Sequence, residues 1–179
     1  MAKGKADLSN TAIRIFLHRV GIAYDIARGY SPFHTNGPEW ANALDYFDHK
    51  CCYCNVLLTE ETLVQDHLIP TNKESLGLHA WGNVVPSCAS CNKTKHHREW
   101  TDFLEETCDP KDYLPLMKRI KGFMHEYGYV QSKELGVIAG NLYEDIGAIC
   151  VTLIDLRLKQ AQAVIDSQIS AATGKGKKA

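Results

Sequence analysis

The sequence predicts an α+β fold that is mostly helical, with a small centre of short strands between helical flanks. Apolar residues recur at helical spacing near both ends of the chain, which indicates amphipathic helices there. The central stretch, residues 51–100, instead alternates short extended segments with two Cys-x-x-Cys pairs. We therefore divide the chain into an N-terminal helical region (1–46), a core (47–100) and a C-terminal helical region (101–179).

The composition is that of a globular protein with one compact core. The 179 residues are 45% hydrophobic, which is enough to bury a core and excludes a disordered chain. No run of about eighteen apolar residues occurs, so no membrane span is expected. The first residues lack the pattern of a secretory signal. Seven cysteines, four of them in Cys-x-x-Cys pairs, favour metal binding in a reducing compartment, and we expect a cytoplasmic protein.

The N-terminal region is predicted to hold two helices. Residues 1–8 are expected to be disordered. An amphipathic helix should then run from Ser9 or Asn10, either of which can cap it, to about Arg28. A second, short helix is predicted to start near Pro38, because proline suits the first turn of a helix.

The core is predicted to contain a hairpin and one helix. Two short apolar segments, 56–58 and 62–65, read as strands around an acidic turn. The second strand ends at Asp66 and His67. After an irregular loop, a helix is predicted over about residues 89–98.

The C-terminal region is predicted to be helical. Pro110 and Pro115 are expected to bound a turn, followed by a helix to about Tyr127. The last helix, 141–171, carries two neighbouring apolar stripes. These stripes either pack on the protein's own core or contact another copy or a partner subunit, and both alternatives stay open. The basic tail, 175–178, is expected to be a frayed end.

Four cysteines have the two-plus-two spacing of a zinc site. Cys51 and Cys54 form one knuckle, and Cys88 and Cys91 form the other. Each Cys-x-x-Cys turn presents two sulfur atoms on one side, so two turns complete a tetrahedron of thiolates around structural Zn²⁺. The 33 residues between the knuckles exceed the spacing of a zinc ribbon and leave room for an inserted functional unit. The alternative is a set of unrelated buried or redox-active cysteines.

Polar residues between and after the knuckles form a recognisable series. Asp66 and His67 come first, then Asn83, then Asn92 just after the second knuckle. This series resembles the HNH endonuclease family with its ββα-metal fold, and within it the subgroup with Cys-x-x-Cys knuckles, which includes many restriction-type enzymes. The resemblance covers about residues 47–98. Further matching positions are Tyr53, Pro70, Cys91 and Lys95.

The resemblance implies hydrolysis of a phosphodiester with the help of one divalent ion. Asp66 and Asn92 would hold that ion, Mg²⁺ or Mn²⁺, because such ions prefer oxygen ligands. His67 would be the general base. Asn83 would tie the loop back and orient that base. A competing assignment gives the metal to Asn83 and makes Asn92 a helix cap.

A formal net charge of −1 means that any surface for nucleic acid has to come from local clustering of basic residues. Such a cluster follows the second knuckle: Lys93, Lys95, His96, His97 and Arg98. We expect Lys95 and Arg98 to contact phosphates, with a solvated helix face as the alternative. His34 is expected to be merely exposed, and His79 to serve loop packing.

The favoured interpretation is a metal-dependent endonuclease that cuts DNA, expected to be double-stranded, in restriction or anti-phage defence, the last point by analogy alone. The alternative is a catalytically inactive, zinc-stabilised module that binds nucleic acid or a partner protein. A redox or purely structural zinc protein would account for the cysteines but not for the residues between them.

Overall fold

The fold is mostly helical around one small sheet, which confirms the predicted α+β class. The computed structural model describes residues 2–35 and 37–172, so the basic tail at 175–178 lies outside the described residues. The helices are α1 (Ala2–Ala27), α2 (Pro38–Tyr46), α3 (Ala89–Lys95), α4 (Trp100–Thr107), α5 (Pro110–Glu126) and α6 (Leu135–Ala172). The strands are β1 (Leu63–His67) and β2 (Val84–Cys88).

The sheet and the helix that follows it form the centre of the molecule. β1 pairs antiparallel with β2, with Asp66 opposite Val85 and His67 opposite Val84. All five residues of β2 are buried, and α3 starts at Ala89, directly after β2. The order β1–β2–α3 therefore places the predicted Asp66-His67 pair at the end of one strand and α3 at the end of its partner.

The predicted hairpin between residues 56–58 and 62–65 is wrong. The second segment does become β1 and ends at His67, but its partner is β2. Residues 56–58 stay irregular, and Leu57 forms only an isolated bridge with Lys50. Burial explains the choice of partner, because Val84 and Val85 of β2 are fully buried, whereas Leu57 is 65% exposed.

The first helix begins earlier than predicted. α1 starts at Ala2, so the expectation of disorder over residues 1–8 is wrong for residues 2–8. Ser9 is not a cap but lies buried inside α1, where its hydroxyl donates to the carbonyl oxygen of Tyr143 on α6 at 2.8 Å. α2 begins at Pro38, as predicted.

Three later boundaries also differ. α3 ends at Lys95 rather than Arg98, because His96 adopts a left-handed backbone conformation with φ of 52°. Pro110 opens α5 behind the cap Asp109, and Pro115 lies inside that helix, where it has no N–H to donate to the backbone. α6 begins at Leu135, six residues before the predicted start at Asn141.

The second half of α6 extends away from the body of the protein. Between Ile149 and Ser170 only Cys150 is half-buried. All other residues of this segment are exposed, and many of them are apolar. Within the segment Leu135–Ser170, the most apolar eighteen-residue window has a mean hydropathy of 1.5, so this helix is long and apolar enough to cross a membrane by length and composition alone. The sequence alone predicts no membrane span, because the chain has no unbroken apolar run of that length. A single helix of this kind is weak evidence for a span.

Three apolar clusters pack around the central unit among the described residues, and two of them join it to several helices. One joins the first knuckle to α2, α4 and α5, with Phe47, Phe103 and Phe123 among its buried side chains. The other joins α1 and α6 to the loop between the strands, through Leu17 and Leu78 among others. The loop and the knuckle are thus held mainly by different helices outside the central unit.

Both the backbone conformation and the neighbouring side chains require a glycine at position 82. Its φ is +85°, and an added Cβ would lie 2.7 Å from Cβ of Tyr129. We expect Gly82→Ala to lower the free energy of unfolding by about 1–3 kcal/mol. The matched control is Gly140→Ala within α6, where nothing lies within 4 Å of the added Cβ. The control should be neutral or stabilising by up to about 1 kcal/mol. Thermal unfolding of both variants decides, and equal melting temperatures would contradict this reading of Gly82.

Candidate functional site

Two knuckles bring four thiols together as the sequence predicts. The Sγ atoms of Cys51, Cys54, Cys88 and Cys91 all lie within 4.8 Å of one another, and those of Cys54 and Cys88 are 3.9 Å apart. A tetrahedral zinc with sulfur at about 2.3 Å requires sulfur atoms about 3.8 Å apart. The four thiols therefore fit a zinc ion. Within the described residues, no other group of three or more His, Cys, Asp or Glu side chains fits a metal ion.

The second knuckle caps helix α3, and its thiols influence the pKa values of the cluster. Cys88 caps α3, because its sulfur accepts a hydrogen bond from the backbone N–H of Cys91 at 3.4 Å. The neighbouring Cys91 side chain outweighs burial and lowers the pKa of Cys51 to about 4. The same contact, together with burial, raises the pKa of Cys91. The cluster thus loses its first proton easily and resists losing more, and a bound cation would offset that resistance.

Asp66 is buried among three partners. Its Oδ2 accepts a hydrogen bond from the phenol of Tyr53 at 2.6 Å and lies 3.2 Å from Nζ of Lys95. Its Oδ1 accepts the backbone N–H of His67 at 2.8 Å. Burial raises the pKa of Asp66, whereas the Lys95 ammonium and the Tyr53 hydroxyl act to lower it. The carboxylate is therefore held in one orientation.

The position of Lys95 corrects the prediction that it contacts phosphate. Its side chain has 0% exposure, and Nζ donates to the carbonyl oxygen of His67 at 2.7 Å in addition to its contact with Asp66. A side chain without exposed surface cannot touch a duplex. Burial next to a carboxylate instead makes Lys95 the internal counter-ion of Asp66.

His67 follows Asp66 at the end of β1 and pairs with another histidine. Its Nε2 lies 3.0 Å from Nδ1 of His79, which is within hydrogen-bond distance. Burial, the neighbouring His79 and the Lys95 ammonium lower the pKa of His67 to about 3. Burial likewise lowers the pKa of His79 to about 4. Both rings are therefore neutral near pH 7.

The two asparagines occupy different positions. All polar atoms of the Asn83 side chain are used by the loop between the strands: Oδ1 accepts from the N–H of Ile69, and Nδ2 donates to the carbonyls of Ile69 and Leu78. Asn83 is fully buried and ties this loop. Asn92 is half-buried on α3, and its carboxamide makes no hydrogen bond to any described residue. This arrangement favours Asn92 over Asn83 as the ligand, and Cys88 rather than Asn92 caps the helix.

Arg98 lies after α3, and its guanidinium is engaged within the protein. It forms an ion pair with Glu106 on α4 and donates to the carbonyl oxygen of Thr94 at 3.1 Å. Its side chain is 35% exposed. Contact with phosphate stays a prediction for Arg98, and it would require exchange of the Glu106 partner.

Sequence reasoning missed the surroundings of His79. The His18 ring on α1 stacks on the His79 ring with 4.7 Å between centroids, and Phe33 meets His79 edge-on at 5.4 Å. His34 is exposed, as expected. Helical periodicity identifies the buried side of α1 but not which exposed residue faces a loop 61 positions later. No sequence signal was available for this contact.

The central unit is similar to the HNH endonuclease family. Residues 50–98 match the HNH family model, described as HNH endonuclease. A protein of Bacillus subtilis (strain 168), "SPbeta prophage-derived putative HNH endonuclease YoqL", is 26% identical over 97 residues, which cover 49% of this chain and 42% of that protein. The aligned part thus spans less than half of that relative's length. Both similarities support a nuclease-type function.

The buried pair of Lys95 and Asp66 gives a stability prediction. Lys95→Met leaves the Asp66 carboxylate without its cation, so the free energy of unfolding should fall by about 3–5 kcal/mol. Lys93→Met, at an exposed position of the same helix, should change it by less than about 0.5 kcal/mol. Denaturant unfolding without added divalent ions provides the measurement. Equal stability of the two variants would mean that Lys95 is not the counter-ion of Asp66.

Proposed function

We propose that this protein is a metal-dependent HNH endonuclease that hydrolyses phosphodiester bonds of DNA. One observation carries the proposal: in the part that matches the HNH family, the β1–β2–α3 unit combines a fixed Asp66, a neutral His67 and an Asn92 whose carboxamide has no hydrogen-bond partner among the described residues. A carboxylate, an imidazole and an amide oxygen are the groups that hydrolysis of a phosphodiester with one divalent ion needs.

A structural zinc ion is proposed for the four thiols. Cys51, Cys54, Cys88 and Cys91 would all be ligands, which leaves no open position for substrate or water, as is usual for structural sites. When bound, zinc supplies cross-linking rather than chemistry. The thiols join the segment before β1 to the junction of β2 and α3, so this ion would stabilise the whole central unit.

Asp66 and Asn92 are proposed to hold the catalytic divalent ion, Mg²⁺ or Mn²⁺. Oδ1 of Asp66 accepts the N–H of His67 at 2.8 Å and lies 3.5 Å from Nζ of Lys95, so a bound ion would take over this longer contact. The Asn92 carboxamide has no hydrogen-bond partner among the described side chains. Both offer hard oxygen atoms, as such an ion requires. When bound, the ion neutralises charge on the phosphate and on the leaving oxygen.

The chemical role of His67 is to accept a proton. With Nε2 engaged by His79, the nitrogen left for a water molecule is Nδ1. The proton passes from that water to Nδ1, the water oxygen bonds to phosphorus, and the bond from phosphorus to the departing sugar oxygen breaks. The departing oxygen takes a proton from solvent, and His67 later returns its own proton to solvent. The low pKa of His67 keeps the ring free to accept, and the negative charge of the phosphate favours the protonated ring when substrate is bound.

The biological setting is proposed as cleavage of double-stranded DNA in restriction or anti-phage defence, in the cytoplasm. Cysteines grouped as metal ligands accord with a reducing compartment. The relative named above is prophage-derived, which accords with a role in contact between phage and host. The exposed apolar half of α6 is the proposed contact for a second copy or a partner subunit.

A second candidate is a zinc-stabilised binding module without catalysis. The specific observation in its favour is that Lys95 already neutralises Asp66, so the carboxylate does not depend on a divalent ion for a partner. An inert module of this kind would still bind nucleic acid or another protein through its surface. Cleavage assays separate the two candidates.

Plasmid cleavage tests the catalytic assignment. With added Mg²⁺ or Mn²⁺, the wild type should nick or linearise supercoiled DNA, and His67→Ala should lower the rate by roughly a hundred- to ten-thousand-fold. His125→Ala, at an exposed position on α5, is the control and should keep wild-type activity. Equal rates for His67→Ala and the wild type would contradict the assignment of His67 as the general base. No cleavage by any variant would favour the binding module.

Metal analysis tests the thiol site separately. The purified chain should carry about one equivalent of zinc, and Cys54→Ser should lose most of it together with thermal stability. Cys108→Ser is the matched control, because the Cys108 thiol lies outside the cluster and donates to the carbonyl oxygen of Asp109. Atomic emission spectrometry gives the metal content. If both variants retain equal zinc, the four thiols are not its ligands.

A further inference from the structure

The contact between His67 and His79 has a direction that decides whether His67 can act as a base. In a neutral pair, one ring nitrogen donates and the other accepts. If Nε2 of His67 donates to Nδ1 of His79, then Nδ1 of His67 keeps its lone pair. If His79 donates instead, Nδ1 of His67 carries the proton and cannot accept another. The distance of 3.0 Å allows either direction.

Besides its bond to His67, three contacts hold His79 in place. Its ring lies against the ring of His18 at an interplanar angle of 19°, and the edge-on ring of Phe33 meets it at 85°. Its backbone lies against α1 at Gly21, where an added Cβ would come within 2.3 Å of the His79 carbonyl oxygen. The next loop residues are tied as well, because the N–H of Trp81 donates to the buried Asp25 of α1 at 3.2 Å.

Gly21 indicates that the close approach is needed. Glycine inside a helix is unfavourable by about 1 kcal/mol relative to alanine. At Gly21 the absence of a side chain lets the helix backbone seat against the loop that carries His79. His18, one turn earlier on the same helix, covers the ring. α1 lies outside the part that matches the nuclease family, so an added helix fixes a side chain next to the candidate base.

We propose that His79 is a positioning residue: Nδ1 of His79 accepts a hydrogen bond from Nε2 of His67 and leaves Nδ1 of His67 free to take the proton of the attacking water. This inference rests on the proposed nuclease function. His79 touches no reacting atom and acts only through His67. α1 contributes to the site by holding His79 in the accepting orientation.

Two variants separate the hydrogen bond from ring packing. His79→Phe keeps a ring against His18 and Phe33 but removes the acceptor. His79→Asn loses the ring but can place its Oδ1 acceptor near the position of Nδ1. We expect His79→Phe to lower kcat by roughly ten- to a hundred-fold with KM unchanged. His79→Asn should recover most of that loss. A packing role predicts the reverse order, and wild-type kcat in His79→Phe overturns the proposal.

The protonation of His67 is read by NMR on the full chain labelled with ¹⁵N-histidine, whether or not cleavage is found. In the wild type we expect the proton of His67 on Nε2 and none on Nδ1. In His79→Phe that preference should be lost, and in His79→Asn it should be kept. A wild-type His67 protonated on Nδ1 overturns the proposal. If no variant cleaves DNA but the tautomers follow the expected pattern, the positioning contact stands and the nuclease function fails.

Discussion

The arrangement of the site depends on four sulfur atoms held within 4.8 Å of one another. They join the first knuckle to the point where β2 becomes α3. Tyr53 lies inside that first knuckle, and its phenol reaches Asp66 at 2.6 Å. A change in the thiol cluster would therefore move the group that orients the Asp66 carboxylate. The hydrogen bond from Tyr53 to Asp66 thus links the thiol cluster to the candidate catalytic centre.

A second set of constraints comes from helix α1. Asp25 is fully buried, and its carboxylate accepts the N–H groups of Phe33 and Trp81 while pairing with Arg28. Burial raises the pKa of Asp25, and its hydrogen bonds and the guanidinium of Arg28 oppose that shift. The loop between the strands is thus fastened at Trp81 by α1 and at Asn83 by its own backbone. Along the chain, His79 lies after the end of β1 at His67 and before the two ties at Trp81 and Asn83.

Sequence reasoning was most successful where a residue type and a spacing imply one chemistry. The four thiols are an example, because paired Cys-x-x-Cys turns can meet in few ways. The fold class and the start of α2 were also predictable, from periodicity and from Pro38. The assignment of Asn83 to loop binding came from the family resemblance, and its three hydrogen bonds accord with it.

The errors have a common origin in long-range packing. The strand at 56–58 was favoured by local propensity, yet burial of Val84 and Val85 made β2 the better partner for β1. Lys95 was assigned to phosphate because it follows a knuckle on a basic helix. Its burial depends on the position of Asp66, 29 residues earlier, which no local pattern reveals. The contact between α1 and His79 was missed for the same reason.

The charges in the site explain why a buried Lys95 is compatible with a nuclease. Asp66 and Lys95 together are neutral, and His67 is neutral as well. A divalent ion entering the empty protein would therefore find little net negative charge, whereas a bound phosphodiester supplies that charge. Binding of ion and DNA would then be mutually favourable, because each offsets the charge of the other. Without Lys95, the buried Asp66 would have no cation beside it whenever substrate is absent. The site would then attract a divalent ion more strongly, but the folded protein would be less stable. In the proposed nuclease, Lys95 would thus keep the Asp66 carboxylate paired, and the protein stable, until substrate binds.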